Sequence, residues 1–276
     1  MEQEIRIRIA DPSMIPALQF LWKQCFADSD AYISLFFDRR FVPAQTLTAW
    51  VGNTLVGAVY LLEAEVGTRL LWYGYAVGTL PEYRGRGISR RLHETIFDMA
   101  AAQQALYAVH PQSADLIAFY KKLGLREGFF YKHVRLAVEP ARSDRLRMMP
   151  VSPADYARLR DAAFAGPGFV HWNSMAVAYA MEENEFCGGF CRALTDGTAV
   201  WVIFGEVQDH QLFLRETTMP DHIIRLAAPL LAKEFNRTEI TLRLSVHSRL
   251  DGTIEMSGMV RGEGSPEFGY LNLMLD

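Results

Sequence analysis

The chain has 276 residues, half of them hydrophobic and 22% charged, so it can bury one large or two modest cores and is not a disordered chain. A formal net charge of −4, with no basic run, argues against nucleic acid as a partner. No stretch is apolar over the length of a membrane span, and no basic-then-apolar secretory signal opens the chain. We therefore expect a cytoplasmic protein that does not associate with a membrane.

The cysteines exclude two further classes of protein. Cys25, Cys187 and Cys191 are an odd number of cysteines and few for a chain of this length, which argues against a disulfide framework and for a reducing compartment. Cys187 and Cys191 form a C-x3-C pair, but no third and fourth ligand follows at a matching spacing. We predict no metal site and interpret this pair as structural.

The hydrophobic pattern of the first half predicts ten elements, which combine a meander with a βαβ crossover in one mixed sheet. The fold class is therefore α/β (α+β). Gly-Asn at 52–53 and Gly-Thr at 67–68 are turn signals that favour antiparallel pairing of the strands around them. In chain order the elements are a strand at 5–10, helices at 14–25 and 29–40, strands at 45–51, 54–63 and 69–79, a helix at 88–100, a strand at 105–109, a helix at 112–123 and a strand at 129–138.

A glycine-rich turn joins the third meander strand to the next helix, and residues 77–89 read V-G-T-L-P-E-Y-R-G-R-G-I-S. A strand-to-helix turn of this kind directs backbone N–H groups and the positive end of the helix dipole at one point, as a pyrophosphate requires. Gly85 and Gly87 let the backbone approach, while Arg84 and Arg86 add positive charge. Rossmann and P-loop proteins use similar turns, but neither of their glycine signatures is present.

This turn resembles motif A of the GCN5-related N-acetyltransferases (GNAT), in which Gln or Arg is followed by two residues, Gly, one residue and Gly or Ala. The chain matches at Arg84 and Gly87 and carries Ser89 at the last small position. A second stretch at 113–125, S-A-D-L-I-A-F-Y-K-K-L-G-L, resembles motif B, with Leu125 in place of the usual Phe. The resemblance covers about residues 5–138.

The resemblance implies a binding set for acetyl-CoA as the acyl donor. In this family two neighbouring strands separate between the motifs, and backbone groups of one strand pair with the pantetheine arm. A polar residue often contacts the cofactor where Ser113 stands. The implied set is Val77, Gly78, Thr79, Arg84, Gly85, Arg86, Gly87, Ile88, Ser89 and Ser113.

Acetyl transfer to an amine needs an oxyanion donor, an acid for the departing thiolate and a base for the amine. The resemblance implies Tyr120 as the acid and the Val77 N–H as the oxyanion donor; the alternative is that Tyr120 merely packs on the sheet. Two candidates for the base stay open. One is Glu63, and the other is the C-terminal carboxylate of Asp276, which relatives similar to the mycobacterial enhanced intracellular survival protein bring into the active site. An edge strand ending at the surface is the plain alternative for Asp276, and His93 is expected at a solvated helix position.

The second half resembles a degenerate copy of the first. Residues 140–144 are predicted to be a linker between domains at 1–139 and 145–276. The stretch after 210–217 has neither a glycine-rich turn nor paired arginines, so this half is predicted to bind no CoA and to line the acceptor site. A strand–helix start at 146–163 is followed by a helix at 173–185, strands at 190–194, 199–207 and 210–217, a helix after Pro220, and strands at 239–246 and 267–275.

Together these features predict an acetyl-CoA-dependent N-acetyltransferase acting on a primary amine of a small molecule. One alternative is a non-catalytic acyl-CoA sensor, because the strand at 69–79 lacks the carboxylate that many relatives carry. Another is a tRNA-dependent aminoacyl transferase built from two such folds, against which the acidic pI argues. The sequence leaves the amine's identity open, and both a monomer and a homo-oligomer fit it.

Overall fold

The computed structural model describes residues 4–273, which form two compact units. The first consists of the described residues through Glu127 together with Gly258–Ser265. The second consists of Gly128–Ser257 and the residues from Pro266 onward. Within residues 4–273, no helix is both long and apolar enough to cross a membrane.

The first unit contains the meander and the crossover that the sequence predicts. Strands β1 to β4 pair antiparallel in chain order, β4 pairs parallel with β5, and residues 259–261 pair antiparallel with β5 on its other side. The elements are β1 (Ile5–Ile9), α1 (Ile15–Phe26), α2 (Asp30–Arg39), β2 (Thr46–Val51), β3 (Thr54–Val66), β4 (Arg69–Thr79), α3 (Ile88–Ala102), β5 (Leu106–Val109) and α4 (Ala114–Lys122).

An aromatic cluster fixes α1 and α2 on the meander. The ring of Trp22 lies 4.8 Å from that of Phe36, 5.2 Å from that of Tyr60 and 5.7 Å from that of Tyr75, measured between centroids. All four side chains are buried. Large aromatic rings bury much apolar surface and lose few rotamers, so this cluster gives β4 a rigid support.

The second unit repeats the order of a meander, a helix and a parallel strand. Its sheet has the order β6-β12-β11-β10-β9-β7, in which only β11 and β12 run parallel. Helix α7 packs its buried face into the apolar core of this sheet. The elements are β6 (Arg126–Ala137), β7 (Arg147–Met149), α5 (Pro153–Phe164), β8 (Val170–His171), α6 (Ser174–Phe186), β9 (Phe190–Thr195), β10 (Val200–Val207), β11 (Gln211–Thr217), α7 (Asp221–Glu234), β12 (Glu239–Leu244) and β13 (Thr253–Arg261). The first two residues of β6 and the last four of β13 belong to the first unit.

The predicted strand at 267–275 is wrong for its described part, where only isolated bridges occur, at residues 269 and 270. The alternating apolar residues of this segment imitate a strand, but among its described residues only 269 and 270 pair with other backbone, at 128–130 and at 168–170. A side chain, and not a ladder, binds the next two residues. The indole Nε1 of Trp172 donates to the carbonyls of Leu271 (3.0 Å) and Asn272 (2.9 Å). Conversely, β13 was not predicted, because Ser257 and Gly258 interrupt its apolar pattern.

A fully buried ion pair lies at the centre of the second unit. The Nε of Arg160 donates to both carboxylate oxygens of Glu216, at 3.0 and 3.1 Å, and neither side chain is exposed. Glu216 also accepts from the hydroxyl of Tyr156 (2.7 Å) and the amide of Asn272 (2.9 Å), while Nη1 of Arg160 donates to the carbonyl of Val170 (2.8 Å). This network joins α5, β11 and the segment at 270–272.

We predict that Glu216→Gln lowers the free energy of unfolding by about 3 kcal/mol, because the Arg160 charge is then left buried without a counter-charge. Glu94→Gln is the matched control, since Glu94 forms an exposed pair with Arg91 at 4.0 Å. The control is expected to cost less than about 0.5 kcal/mol. Urea denaturation of both variants measures the difference, and equal losses would show that the buried pair does not stabilise this unit.

Candidate active site

Strand β4 carries a bulge near its C-terminal end. Ala76 and Val77 together lie opposite Val59 of β3, where a regular ladder would pair one residue with one. Ala76 has φ +44°, a left-handed conformation that non-glycine residues adopt only at a cost. A bulge leaves a backbone group unpaired and redirects it, so the N–H groups at 76–77 are candidates for binding a ligand atom.

The backbone of β4 also loses its neighbour on one side in this region. The parallel pairing with β5 ends at Tyr73, which lies opposite Ala108. Residues 74–79 therefore continue beyond the part of β4 that pairs with β5, while β3 still pairs with β4 on the other side. The predicted binding residues Val77, Gly78 and Thr79 lie in this part of β4. Gly78 allows close packing here, because a Cβ at this position would lie 3.1 Å from Sγ of Cys25 in α1 and would have to displace it by a few tenths of an ångström.

The turn between β4 and α3 presents unpaired amides. Gly85 and Gly87 both have φ +77°, a conformation that favours glycine, and Gly87 caps α3 without a side-chain hydrogen bond. Among the described residues, no hydrogen bond is donated by the backbone N–H groups of residues 85–89. These groups lie at the positive end of the α3 dipole, which makes the turn a candidate anion site.

A cavity of about 240 Å³ lies against this turn. Arg84 borders it and donates from Nε to the carbonyl of Thr79 at 3.2 Å. Arg86 stacks on the ring of Tyr83, 4.9 Å from its centroid. Three lining residues, Tyr83, Arg90 and Phe119, were missed in the sequence, although Arg90 is a third arginine within seven residues. The lining consists of Thr79, Tyr83, Arg84, Gly85, Gly87, Ile88, Ser89, Arg90 and Phe119.

Helix α4 places Tyr120 beside Phe119, with the ring centroids 5.3 Å apart. Tyr120 is 4% exposed, and burial raises the pKa of its phenol above the ordinary value. The phenol therefore keeps its proton at neutral pH, as an acid must. Ser113, predicted to contact the cofactor, caps α4 by accepting from the N–H of Leu116 at 3.2 Å.

The structure contradicts the expected solvated position of His93. Its side chain is fully buried, one helical turn after Ser89, and its Nδ1 lies 2.7 Å from the carbonyl oxygen of Ser89. Burial lowers the pKa of His93 from the ordinary 6.5 to about 4, although the hydrogen bond to Ser89 opposes this shift. The helical pattern of α3 could not show this, because polar residues flank its apolar face on both sides.

The buried His93 predicts a stability loss in acid. Because its pKa is lower in the folded chain, the unfolded chain binds more protons between about pH 6.5 and about pH 4. The contribution of His93 to the free energy of unfolding is complete above pH 6.5 and falls by roughly 3 kcal/mol as the pH drops to 4. Urea denaturation across this range should show a smaller loss for His93→Phe than for the unmodified protein. Identical slopes in both would contradict the buried neutral ring.

The structure does not bring Glu63 to the bulge. Glu63 of β3 lies opposite Trp72 of β4. Trp72 precedes Ala76 by four residues, so Glu63 lies about 13 Å from the bulge along the strand direction. The other predicted base, Asp276, lies outside the described residues. The bulge, the glycine turn and Tyr120 thus come from one unit, while the assignment of the base stays a prediction.

The equivalent turn of the second unit is built differently. Pro220, which has no N–H group, precedes α7, and Asp221 occupies its first turn. The Asp221 carboxylate accepts from the hydroxyl of Ser248 (2.8 Å) and the N–H of Arg249 (2.6 Å). A carboxylate already occupies the positive end of this helix, so the site would repel a phosphate.

Residues 13–125 match the profile of the acetyltransferase (GNAT) family. No curated protein matches the chain in sequence.

Solved structures of three proteins match most of the chain. A GCN5-related N-acetyltransferase from Anabaena variabilis is 15% identical with a TM-score of 0.74, over 94% of this chain and 72% of that one. Eis1 from Mycobacterium abscessus is 13% identical with a TM-score of 0.69, over 94% and 73%. A tandem GNAT protein from the clavulanic acid biosynthesis pathway is 12% identical with a TM-score of 0.55, over 95% and 99%. At these identities the likeness establishes the fold alone: an N-terminal GNAT fold followed by a second GNAT-like region.

Proposed function

Because residues 13–125 belong to the acetyltransferase (GNAT) family, we propose that the protein transfers an acetyl group from acetyl-CoA to a primary amine of a small molecule. The observation that carries this proposal is the turn at residues 85–89. Its amides donate to no acceptor among residues 4–273, and its two glycines hold them at the N-terminus of α3. The diphosphate of CoA supplies the anionic oxygens that such a turn binds.

The unpaired edge of β4 suits the rest of the donor. Amide groups of Val77, Gly78 and Thr79 would pair with the pantetheine arm, where β5 no longer competes for them. The N–H of Val77, at the bulge, would donate to the thioester carbonyl. The same hydrogen bond strengthens as that oxygen becomes an oxyanion, so it lowers the barrier to attack.

Direct attack by a neutral amine on the thioester carbon then gives a tetrahedral species. Its collapse breaks the carbon–sulfur bond and releases the thiolate of CoA. In this mechanism the phenol of Tyr120 gives its proton to the thiolate, and its raised pKa keeps that proton available until the thiolate forms. A base takes the proton from the amine before or during attack.

The proposed base is testable. We expect Glu63→Gln to change kcat/KM by less than about threefold, because Glu63, on β3, pairs with a residue of β4 that lies four positions before the bulge. Removal of Asp276 is expected to lower kcat/KM by about 100-fold at neutral pH if its carboxylate is the base, with a smaller deficit at high pH, where the amine is already neutral. Initial rates from pH 6 to about pH 10 measure both variants. A large loss in Glu63→Gln alone would assign the base to Glu63.

The overall activity is tested by release of CoA thiol from acetyl-CoA across a panel of primary amines, including aminoglycosides, polyamines and amino acid amides. We expect turnover with at least one class of amine. Tight binding of acetyl-CoA without turnover of any amine would instead support an acyl-CoA sensor. The distance of Glu63 from the bulge is the observation that favours this second function.

A further inference from the structure

His93 is a polar ring in a fully buried position of α3. The buried face of this helix is otherwise formed by Ile88, Leu92, Ile96 and Ala100. A buried polar group costs free energy unless a hydrogen bond satisfies it, and an apolar residue of similar size would avoid that cost. The position therefore calls for a role that an apolar side chain cannot fill.

The hydrogen bond to Ser89 fixes the tautomer of this ring. A carbonyl oxygen only accepts, so Nδ1 of His93, 2.7 Å from the oxygen of Ser89, carries the hydrogen and donates it. In the neutral ring Nε2 is then the acceptor nitrogen. Ser89 belongs to the turn whose amides are unpaired, so this bond ties the imidazole to the backbone of the proposed diphosphate site.

The opposite side of the ring faces helix α4 and strand β5. Its centroid lies 5.4 Å from that of Tyr120, 6.1 Å from that of Phe119 and 5.6 Å from that of Tyr107, all in edge-to-face geometry. Phe119 also lines the cavity at the turn. The buried Nε2 of His93 and the hydroxyl of Tyr107 have no hydrogen-bond partner among residues 4–273. The ring therefore contacts the turn on one side and the proposed acid on the other.

We propose that His93 is a positioning residue, which holds Tyr120 and Phe119 at a fixed separation from the amides of residues 85–89. This inference rests on the proposed function, because only the proposed function assigns the turn to the diphosphate and Tyr120 to the thiolate. The diphosphate and the thiol are the two ends of one donor molecule. A rigid connection between the groups that bind them places the sulfur within reach of the phenol each time the donor binds.

Two variants separate the contributions of the ring. His93→Phe keeps the aromatic contacts and loses the bond to Ser89, whereas His93→Asn keeps a donor near the Nδ1 position and loses the ring. Thr95→Val is the matched control, since the hydroxyl of Thr95 donates to the carbonyl of Arg91 at 3.1 Å, with the same four-residue spacing but about half a helical turn further along α3. Each variant is compared with the unmodified protein for CoA affinity by calorimetry and for kcat and KM with the best amine.

We expect His93→Phe to lower kcat by about 10- to 100-fold and to weaken CoA binding by less than about tenfold. A displacement of Tyr120 by about 1 Å relative to the turn affects proton transfer to the thiolate more than it affects binding of CoA. His93→Asn should recover part of the loss, and Thr95→Val should stay within about twofold. A kcat for His93→Phe within twofold of the control overturns the inference. So does failure of both His93 variants to fold, which would make the residue purely structural.

A spectroscopic measurement on the unmodified protein tests the same geometry without turnover. Long-range ¹H–¹⁵N correlation spectra distinguish protonated from unprotonated ring nitrogens, and we expect His93 to show a protonated Nδ1 and a bare Nε2 at neutral pH. The opposite tautomer, or a ring protonated on both nitrogens, would overturn the inference. If the unmodified protein binds no CoA, the proposed function fails, whereas normal binding and turnover with an unchanged His93→Phe remove only the role of His93.

Discussion

Replacement of Tyr120 by Phe is expected to lower kcat about 1,000-fold while changing the KM for acetyl-CoA little. The variant keeps the ring that packs against Phe119 and His93 but removes the only proton that the proposed mechanism offers to the thiolate. Steady-state release of CoA thiol measures the effect. With the same amine acceptor in both assays, the loss should appear in kcat, because the proton is needed by the departing thiolate in the transition state and not for binding.

The matched control for this prediction is Tyr60→Phe. Tyr60 is also a buried tyrosine, with 3% exposure, and its hydroxyl has no hydrogen-bond partner within the described part of the chain. It packs among the rings of the aromatic cluster, so its variant should keep kcat within about twofold. Equal rates for Tyr120→Phe and Tyr60→Phe would exclude Tyr120 as the acid.

The pH dependence of the unmodified protein follows from the same residue. Burial raises the pKa of Tyr120 above its ordinary value near 10, so the phenol stays protonated across the neutral and mildly alkaline range. The acid form is therefore expected to be fully present from about pH 7 to about pH 10, and kcat should not fall in this range through loss of the acid. An alkaline decrease in kcat that disappears in Tyr120→Phe would contradict the raised pKa.

Gly87→Val is expected to weaken the binding of CoA about 1,000-fold, because at least two charge-assisted hydrogen bonds to the diphosphate would be lost. A Cβ at Gly87 would meet no protein atom within 4 Å, so the added side chain would occupy the space in front of the turn. The left-handed backbone at this residue, φ +77°, also disfavours a branched side chain.

Gly52→Val separates these two effects. Gly52 lies in the turn between β2 and β3 with φ +59°, and a Cβ there also meets no atom within 4 Å. Both variants should lose comparable stability, by about 1–2 kcal/mol, through backbone strain. Only Gly87→Val should lose CoA affinity in calorimetry. A similar loss of CoA affinity in both variants would mean that backbone strain in the first unit, and not the turn at residues 85–89, determines binding.

The sequence predicted the parts of the fold that depend on local pattern. The alternation in β2 to β4, the turns at Gly52 and Gly67 and the helical period of α3 lie within a few residues of their predicted positions. The glycine-rich turn was also predictable, because Gly85 and Gly87 have a conformational reason to stand at two positions that need a positive φ.

Other features depend on contacts between distant segments and have no local signal. The bulge at Ala76 results from the register between β3 and β4, and alanine gives no indication of a left-handed backbone. In the sequence, His93 does not differ from the other polar residues of α3. Its burial could not be predicted, because it depends on rings from β5 and α4 that are distant in the chain. The segment at 270–272 imitates a strand, but within the described part of the chain only the backbone of Tyr270 pairs with other backbone, and the partners of the next two residues include the side chains of Trp172 and Glu216.

Calorimetric titration with CoA and with pantetheine, which lacks the diphosphate, is the most direct test of the turn at residues 85–89. We expect CoA to bind with micromolar or tighter affinity, pantetheine to bind at least about 100-fold more weakly, and Gly87→Val to remove this difference. Equal affinities for the two compounds, or no heat with CoA, would show that these amides do not bind a diphosphate.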